Sequence, residues 1–362
     1  MGKFSYNQAA IENLKLDAED IAVLDRMLDF DSAREAHQKK EHSRYDKRMP
    51  LGDAIKEYVS DGDIISANCF NYVRTSLQAD IEIMRQGVKN LCSIGSPNVI
   101  QSLYLHGKHA SRVHISYTGA EMRGIDKHFD RQFKRGNVRV LGEWSHGVMA
   151  QGFKAAQLGC PGLFSKQMLA SQMLDYNPVL KVMQNPMKDE EDPVLFVPAL
   201  YPDVSVIHAQ WADKYGNARI FGPAVNDIAV AAATRKLIIT AEEIVPEAEI
   251  RNNNKGVVIP FMYVDAVVEL PYGGLPGSVP GYYYWPREWW EWMLRIAMLD
   301  DEKMTSFMDY WVYNTKDQFD FLEKLGGVRW LANARRLTKA AEGDNEIDGV
   351  DFSYTEVYPK FE

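Results

Sequence analysis

The sequence predicts an α/β fold: an open, mostly parallel sheet with helices on both faces, followed by a helical C-terminal tail. Three observations carry this. Between residues 64 and 158, short apolar runs alternate with segments of helical period, the pattern of strand–helix–strand crossovers. The block 203–217 reads as a buried strand running into a tight turn at Asp213 to Asn217. A second block, 233–245, reads as a helix end feeding another strand that stops at two carboxylates, Glu242 and Glu243. Residues 289–337 set Trp290, Trp292, Met293, Ile296, Phe307, Trp311, Phe319 and Leu322 on apolar helix faces.

Residues 1–48 are read as a helical N-terminal arm. Leu16, Ile21, Leu24, Met27 and Leu28 recur at helical spacing, and after Ala33 the chain turns strongly charged. Two readings stay open: a surface helix packing on its own domain, or an arm gripping a partner subunit. The main α/β domain is expected over 49–288. Ala54, Ile55 and Tyr58 mark a first helix, ended by Gly62. Strands are expected at 64–68, 91–94, 112–117 and 138–142, and helices at 76–86, 126–135 and 147–158, with Gly87 closing the first of these three. In such a sheet, ligands sit at the carboxyl ends of the strands. The loops there are 68–74, 95–98, 117–123 and 143–146. Residues 184–193 read as an exposed loop or hairpin. Residues 270–288, rich in Gly, Pro, Tyr and Trp, form a long loop of the kind that is functional or lies on a partner. C-terminal helices over 289–340 should pack on the domain, and 341–362 should be peripheral.

The chain has 362 residues, 46% apolar and 25% charged, with a formal net charge of −9. No Lys/Arg run is dense enough to track a phosphate backbone, so nucleic acid is not an expected partner. The most basic stretch, 127–139, is broken by Asp130 and Phe133 and reads as a solvated helix face. Cys69, Cys92 and Cys160 form no CxxC pair, so neither a disulfide framework nor zinc spacing is present. No apolar run approaches a membrane span and no apolar leader follows Met1. A cytoplasmic, non-membrane protein is the expectation.

Six segments, in order, carry a family resemblance. They are 54–59 before Gly62-Asp63, 82–87, 207–210 with Gly216-Asn217, 242–251, 264–274, and 311–327. This pattern resembles the alpha subunits of family I coenzyme A transferases of the glutaconate type. The resemblance implies an α2β2 assembly with a beta-type subunit. The catalytic Glu, which forms an acyl anhydride and then an enzyme–CoA thioester, is implied to lie on that partner. A CoA thioester is the implied substrate, with no resident cofactor and no metal. This chain would supply the opposite wall, where fixed donors stabilise a developing oxyanion.

The candidate site residues follow from the strand-end loops. Where the family has a Gly-Gly-Phe strand end, this chain has Asn68-Cys69-Phe70, which reshapes the pocket next to Asn71. Arg74 could fork onto a substrate carboxylate or a CoA phosphate, or make a surface ion pair instead. Gly95-Ser96 precedes a helix, whose N-terminus favours anions. Tyr117 and His146 belong to neighbouring loops. Glu143, beside Trp144, could have a raised pKa and act as acid or base. In the related steroid ring-opening CoA hydrolases an essential Glu lies near this segment, so Glu143 is the catalytic candidate of that second reading; a solvated loop carboxylate is the plain alternative. A third reading is a subunit that only structures a catalytic partner. His106 and His109, three apart with His114 nearby, have metal-ligand spacing, but no neighbouring Cys or carboxylate completes a site. His208 reads as a satisfied core histidine, and Glu242 and Glu243 as structural.

Overall fold

The computed structural model describes residues 3–67, 73–95, 101–119 and 125–341. Of the expected peripheral segment 341–362, only Ala341, the last residue of the final helix, falls within these.

The chain opens with α1 (Gln8–Leu14), α2 (Ala18–Leu28) and α3 (Phe30–Lys39). Asp17 caps α2 through a capping box with Asp20, satisfying first-turn amides that would otherwise lack partners. The alternating unit follows: α4 (Leu51–Tyr58), β1 (Ile64–Ala67), α5 (Leu77–Arg85), β2 (Leu91–Ile94), α6 (Gln101–His106), β3 (Ala110–Ile115), α7 (Lys127–Lys134), β4 (Arg139–Glu143) and α8 (His146–Gln157). The side chain of Asp126 caps α7, and that of Ser145 caps α8. Gly87 takes φ 77° just past α5, a backbone conformation that glycine reaches without a Cβ clash.

Next come β5 (Gly162–Ser165), β6 (Lys181–Gln184) and β7 (Pro193–Pro198). They form a small antiparallel sheet in the order β5-β7-β6, and the exposed residues 185–192 link β6 to β7 as a hairpin. The chain then re-enters the main sheet with β8 (Val204–Ala212), β9 (Ala218–Ile220), α9 (Asp227–Ala233), β10 (Lys236–Ile244), α10 (Glu247–Asn252), β11 (Val257–Ile259) and β12 (Ala266–Glu269). The β8–β9 turn is built by Asp213, whose Oδ1 accepts from the amides of Tyr215, Gly216 and Asn217 at 2.9–3.0 Å.

β12, β10, β8, β1, β2, β3 and β4 lie side by side in that order, each pair parallel. β9 and β11 extend the sheet as an antiparallel flap. β8 and β10 are buried almost throughout, which is why both read as continuous apolar runs in the sequence.

One face of the sheet is covered by α4 and α5 together with the C-terminal helices α11 (Arg287–Leu299), α12 (Asp301–Met308), α13 (Gln318–Leu325) and α14 (Gly327–Ala341); a π-turn at Asp309–Tyr313 separates α12 from α13. Trp289, Trp290, Phe307, Trp311 and Phe321 are fully buried there, with ring centroids as close as 4.8 Å. Each such ring removes about 150–250 Å² from water, worth up to roughly 4–6 kcal/mol by area. The opposite face packs α2, α8 and the small sheet through Leu24, Met27, Leu141, Trp144, Met149 and Phe153.

The N-terminal helices lie on the chain's own body. Asp20, fully buried, pairs with Arg112 of β3 at 2.8 Å and with Arg139 of β4. Arg26 reaches Asp203 at 2.8 Å, and Tyr201 N–H donates to the Met27 carbonyl. The 270–288 loop also turns inward. Leu275, Val279 and Tyr283 are buried, the Gly273 and Ser278 carbonyls accept from the Gln78 and Arg74 amides, and the Trp290 indole donates to the Pro276 carbonyl at 2.8 Å. Among the described residues no helix is long and apolar enough to cross a membrane.

Candidate active site at the carboxyl edge of the sheet

Register places the ends of β2, β3 and β4 in one row. Ser93 pairs with Val113, and Ile115 with Glu143. The residues that follow draw three loops together. The Ser116 hydroxyl donates to the Gly95 carbonyl at 3.3 Å, and the Trp144 amide donates to the Ile115 carbonyl at 2.7 Å. The Tyr117 and His146 rings meet edge-on, 6.3 Å between centroids. Gly95, Tyr117, Glu143 and His146 thus sit along one edge, while Asn68, Cys69, Phe70, Asn71 and Ser96 lie outside the described residues.

Glu143 is half-buried, and its carboxylate has no hydrogen-bond partner among the described residues. Burial alone pushes its pKa up from the ordinary carboxylate value, because a charge is poorly solvated there. Its position is fixed from behind. Buried Asn177 donates to the Glu143 carbonyl at 2.8 Å, and the Asn177 side-chain oxygen accepts from the Val179 amide. Gly142 has no side chain because the Trp144 indole and the His114 ring fill the space; a Cβ would lie 3.2 and 3.3 Å from them. The Trp144 indole donates to His114 Nδ1 at 3.1 Å, and burial drives the His114 pKa down to about 3, so the ring is neutral. The Glu143 side chain opens on a groove of about 560 Å³ along the free edge of β4, shared with Lys15, Phe133, Arg139 and Tyr176. A carboxylate with a raised pKa and no bound partner can take or give a proton.

Arg74 is held in the interior rather than in a surface pair. It is 1% exposed, in the left-handed conformation with φ 52°. Its guanidinium forks onto Asp227 at 3.1 and 2.9 Å and also donates to the carbonyls of Pro223 (2.5 Å) and His208 (3.3 Å). Asp227, on the first turn of α9, is equally buried. The interior took this side chain because a carboxylate and two carbonyls receive both terminal nitrogens of the planar fork.

A second buried network runs beside it. His208 bonds Thr240 at 2.8 Å and Glu242 at 2.9 Å, so both ring nitrogens are satisfied. Thr240 meets Ser76 at 2.7 Å, and Glu242 accepts from the Tyr272 amide and the Tyr283 hydroxyl. Glu242 is interior and structural. Glu243 is exposed and held by the Tyr282 hydroxyl, which also receives the Trp211 indole N–H at 3.1 Å. Nothing in the sequence ties Ser76, Thr240 and Tyr283 to this network; the only visible signal was a histidine inside an apolar strand.

His109 does not share a site with His106. Its ring bonds the Val88 carbonyl at 2.7 Å and the Tyr313 hydroxyl at 2.9 Å.

Residues 48–270 match the family model described as Coenzyme A transferase. An uncharacterized protein of Archaeoglobus fulgidus is 33% identical over 94% of this chain and 76% of its own length. The A subunit of glutaconate CoA-transferase from Acidaminococcus fermentans is 31% identical over 79% of this chain and 93% of its own. The crystal structure of that glutaconate coenzyme A-transferase superposes with a TM-score of 0.75, covering 80% of this chain and 95% of the other, at 30% identity. The cholesterol ring-cleaving hydrolase IpdA subunit of Rhodococcus jostii is 25% identical over 64% of this chain and 80% of its own.

Proposed function

We infer that this chain, which belongs to the coenzyme A transferase family, is the alpha-type subunit of a heteromeric CoA-transferase that moves CoA between an acyl-CoA and a free carboxylic acid. The observation that carries this reading is the match to the A subunit of glutaconate CoA-transferase, which extends over nearly all of that relative. A beta-type subunit completes the site, in an α2β2 assembly in the cytoplasm. A glutamate of the partner attacks the thioester carbonyl, releasing CoA thiolate and forming an acyl anhydride. The thiolate then attacks the glutamyl carbonyl, leaving an enzyme–CoA thioester and a free acid. The acceptor carboxylate enters by the same two steps in reverse, so one hard exchange becomes several easier ones. The strand-end loops of this chain form the facing wall, where Gly95, Tyr117 and His146 border the acyl group. The thioester is substrate, and the chemistry asks for no resident cofactor.

The test is to trap the intermediate. Incubating the co-expressed pair with acyl-CoA and then borohydride should reduce one glutamate of the partner, and none in this chain, as read by peptide mass spectrometry. A reduced glutamate in this chain, or none in either, sinks the reading.

The half-buried carboxylate of Glu143, without a hydrogen-bond partner among the described residues, favours one second reading: hydrolysis of a cyclic acyl-CoA at a carbon–carbon bond, with Glu143 as the proton-transfer group. The similarity to the cholesterol ring-cleaving hydrolase IpdA subunit points the same way. If it holds, the partner lacks the active-site glutamate, and Glu143→Gln abolishes turnover.

A further inference from the structure

We propose that His106, His128 and Asp301 form a binding site for a divalent transition-metal ion of the zinc class, one that ties the C-terminal helices to the layer covering the sheet. The three residues come from α6, α7 and α12, and their ligand atoms all lie within 4.8 Å of one another. The two imidazole rings stand 5.0 Å apart between centroids. The site lies on helices remote in sequence from one another, and none of its residues belongs to the strand-end loops.

The hydrogen bonds define which lone pairs are open. The Thr305 hydroxyl donates to the Asp301 carbonyl at 2.8 Å, so its oxygen accepts from His106 Nε2 at 2.9 Å. The His106 proton is therefore on Nε2, and Nδ1 is a bare lone pair, buried with no hydrogen-bond partner among the described residues. His128 is fully buried; its Nε2 is likewise without a partner, and its Nδ1 faces Asp301 Oδ1 at 3.7 Å. Arg131 donates to His128 Nδ1, so the His128 proton is on Nε2 and Nδ1 is that ring's ligand atom. Buried ring nitrogens are nearly always paired, so the open lone pair of His106 Nδ1 marks a missing group in this cluster.

Asp301 is held for the purpose. Arg135 and Gln132 contact its Oδ2, which leaves Oδ1 toward the histidines, and carboxylate ligands are commonly oriented by such an outer partner. Two imidazoles and one carboxylate suit Zn²⁺, Co²⁺ or Ni²⁺ rather than the oxygen-seeking Ca²⁺ or Mg²⁺. Zinc takes these ligands at about 2.0–2.2 Å, so the side chains must draw together by roughly 1 Å. One group opposes this. Arg131 donates to both His128 Nδ1 and Asp301 Oδ1 at 3.3 Å, placing a cation beside the two atoms a metal would take.

That competition makes the proposal sharp. The full chain, stripped with chelator, would be titrated with Zn²⁺ and separately with Co²⁺, following heat and the cobalt d–d spectrum. Wild type should take up one ion saturably. His128→Gln and His106→Gln each remove a ligand and should weaken uptake by at least the roughly 10-fold that loss of an outer partner costs, and Arg131→Gln should tighten it. Zinc should raise the melting temperature of wild type and of Arg131→Gln but not of the histidine variants. Wild type binding no more tightly than either histidine variant, or Arg131→Gln binding more weakly than wild type, overturns the assignment. Testing two histidine variants guards against one of them failing to fold.

Discussion

Replacing Arg74 by methionine keeps an unbranched apolar stem and removes the guanidinium with its charge. The guanidinium and the Asp227 carboxylate are each 0% exposed. Deleting the cation strands a buried carboxylate and leaves the Pro223 and His208 carbonyls without this donor. Breaking one side of a buried ion pair costs about 3–5 kcal/mol, most of it the penalty for the unpaired charge. With an unfolding entropy of about 2.1 cal/mol/K per residue, a chain of 362 residues loses about 1.3 °C per kcal/mol, so a fall of roughly 4–7 °C is expected. The double variant Arg74→Met/Asp227→Leu removes both charges and should regain at least about half of that loss, because the stranded charge is gone. Calorimetry measures both variants. Michaelis constants of the assembled enzyme, at a temperature where each variant is folded, should stay within about twofold of wild type. An unchanged melting temperature with a large rise in KM for thioester or acid would refute the reasoning and return Arg74 to the ligand. Failure of the double variant to recover would show that the cost is not electrostatic.

Glu143→Gln should leave CoA exchange within about threefold of wild type, whereas a proton-transfer role would cost about 10²–10⁴-fold in kcat; a steady-state assay of the pair decides. Asp20→Ala removes the buried carboxylate shared by Arg112 and Arg139, leaving them only the exposed Glu19 and Asp17, and should loosen α1–α3 from the sheet edge by at most about 3 kcal/mol, seen as faster tryptic cleavage at Arg34 and Lys39 with the rest of the chain intact. Stability should fall steeply on acidification. Burial lowers His37 and His109 to about 4 and His114 to about 3. The unfolded state therefore binds more protons from about pH 6.5 downward. The stabilisation from keeping these rings neutral is present above that pH and is lost as pH falls toward 4. His114→Gln should flatten this loss in denaturant titrations at pH 7 and pH 5, and an unaltered pH slope would contradict it.

Much of the fold is legible because the signals are local. Residues 91–94 are apolar between Asn90 and Gly95 and form β2 with those bounds, and β4 differs from its expected range by one residue. β3 ends at Ile115 rather than Tyr117, because Ser116 turns its hydroxyl to Gly95 on the next loop, a contact no local pattern encodes. Long-range pairing is where the sequence falls silent. Arg74 and Asp227 are 153 residues apart, so an arginine in a strand-end loop reads as a ligand group or a surface ion pair until its buried partner is seen. His106 pairs by spacing with His109 in the sequence, yet it meets His128 and Asp301 in space. The loop 270–288 reads as functional or as lying on a partner because of its length, but Glu242 draws Tyr283 inward and the Pro276 carbonyl takes the Trp290 indole of the following helix.

The most direct test of the central claim is CoA exchange between an acyl-CoA and a free carboxylate, measured with this chain alone, with its beta-type partner alone, and with the two mixed. Exchange should be absent from either separate protein and appear on mixing, saturating at one partner per chain. Full exchange by this chain alone, or none from the mixture under conditions where the complex forms, contradicts the account.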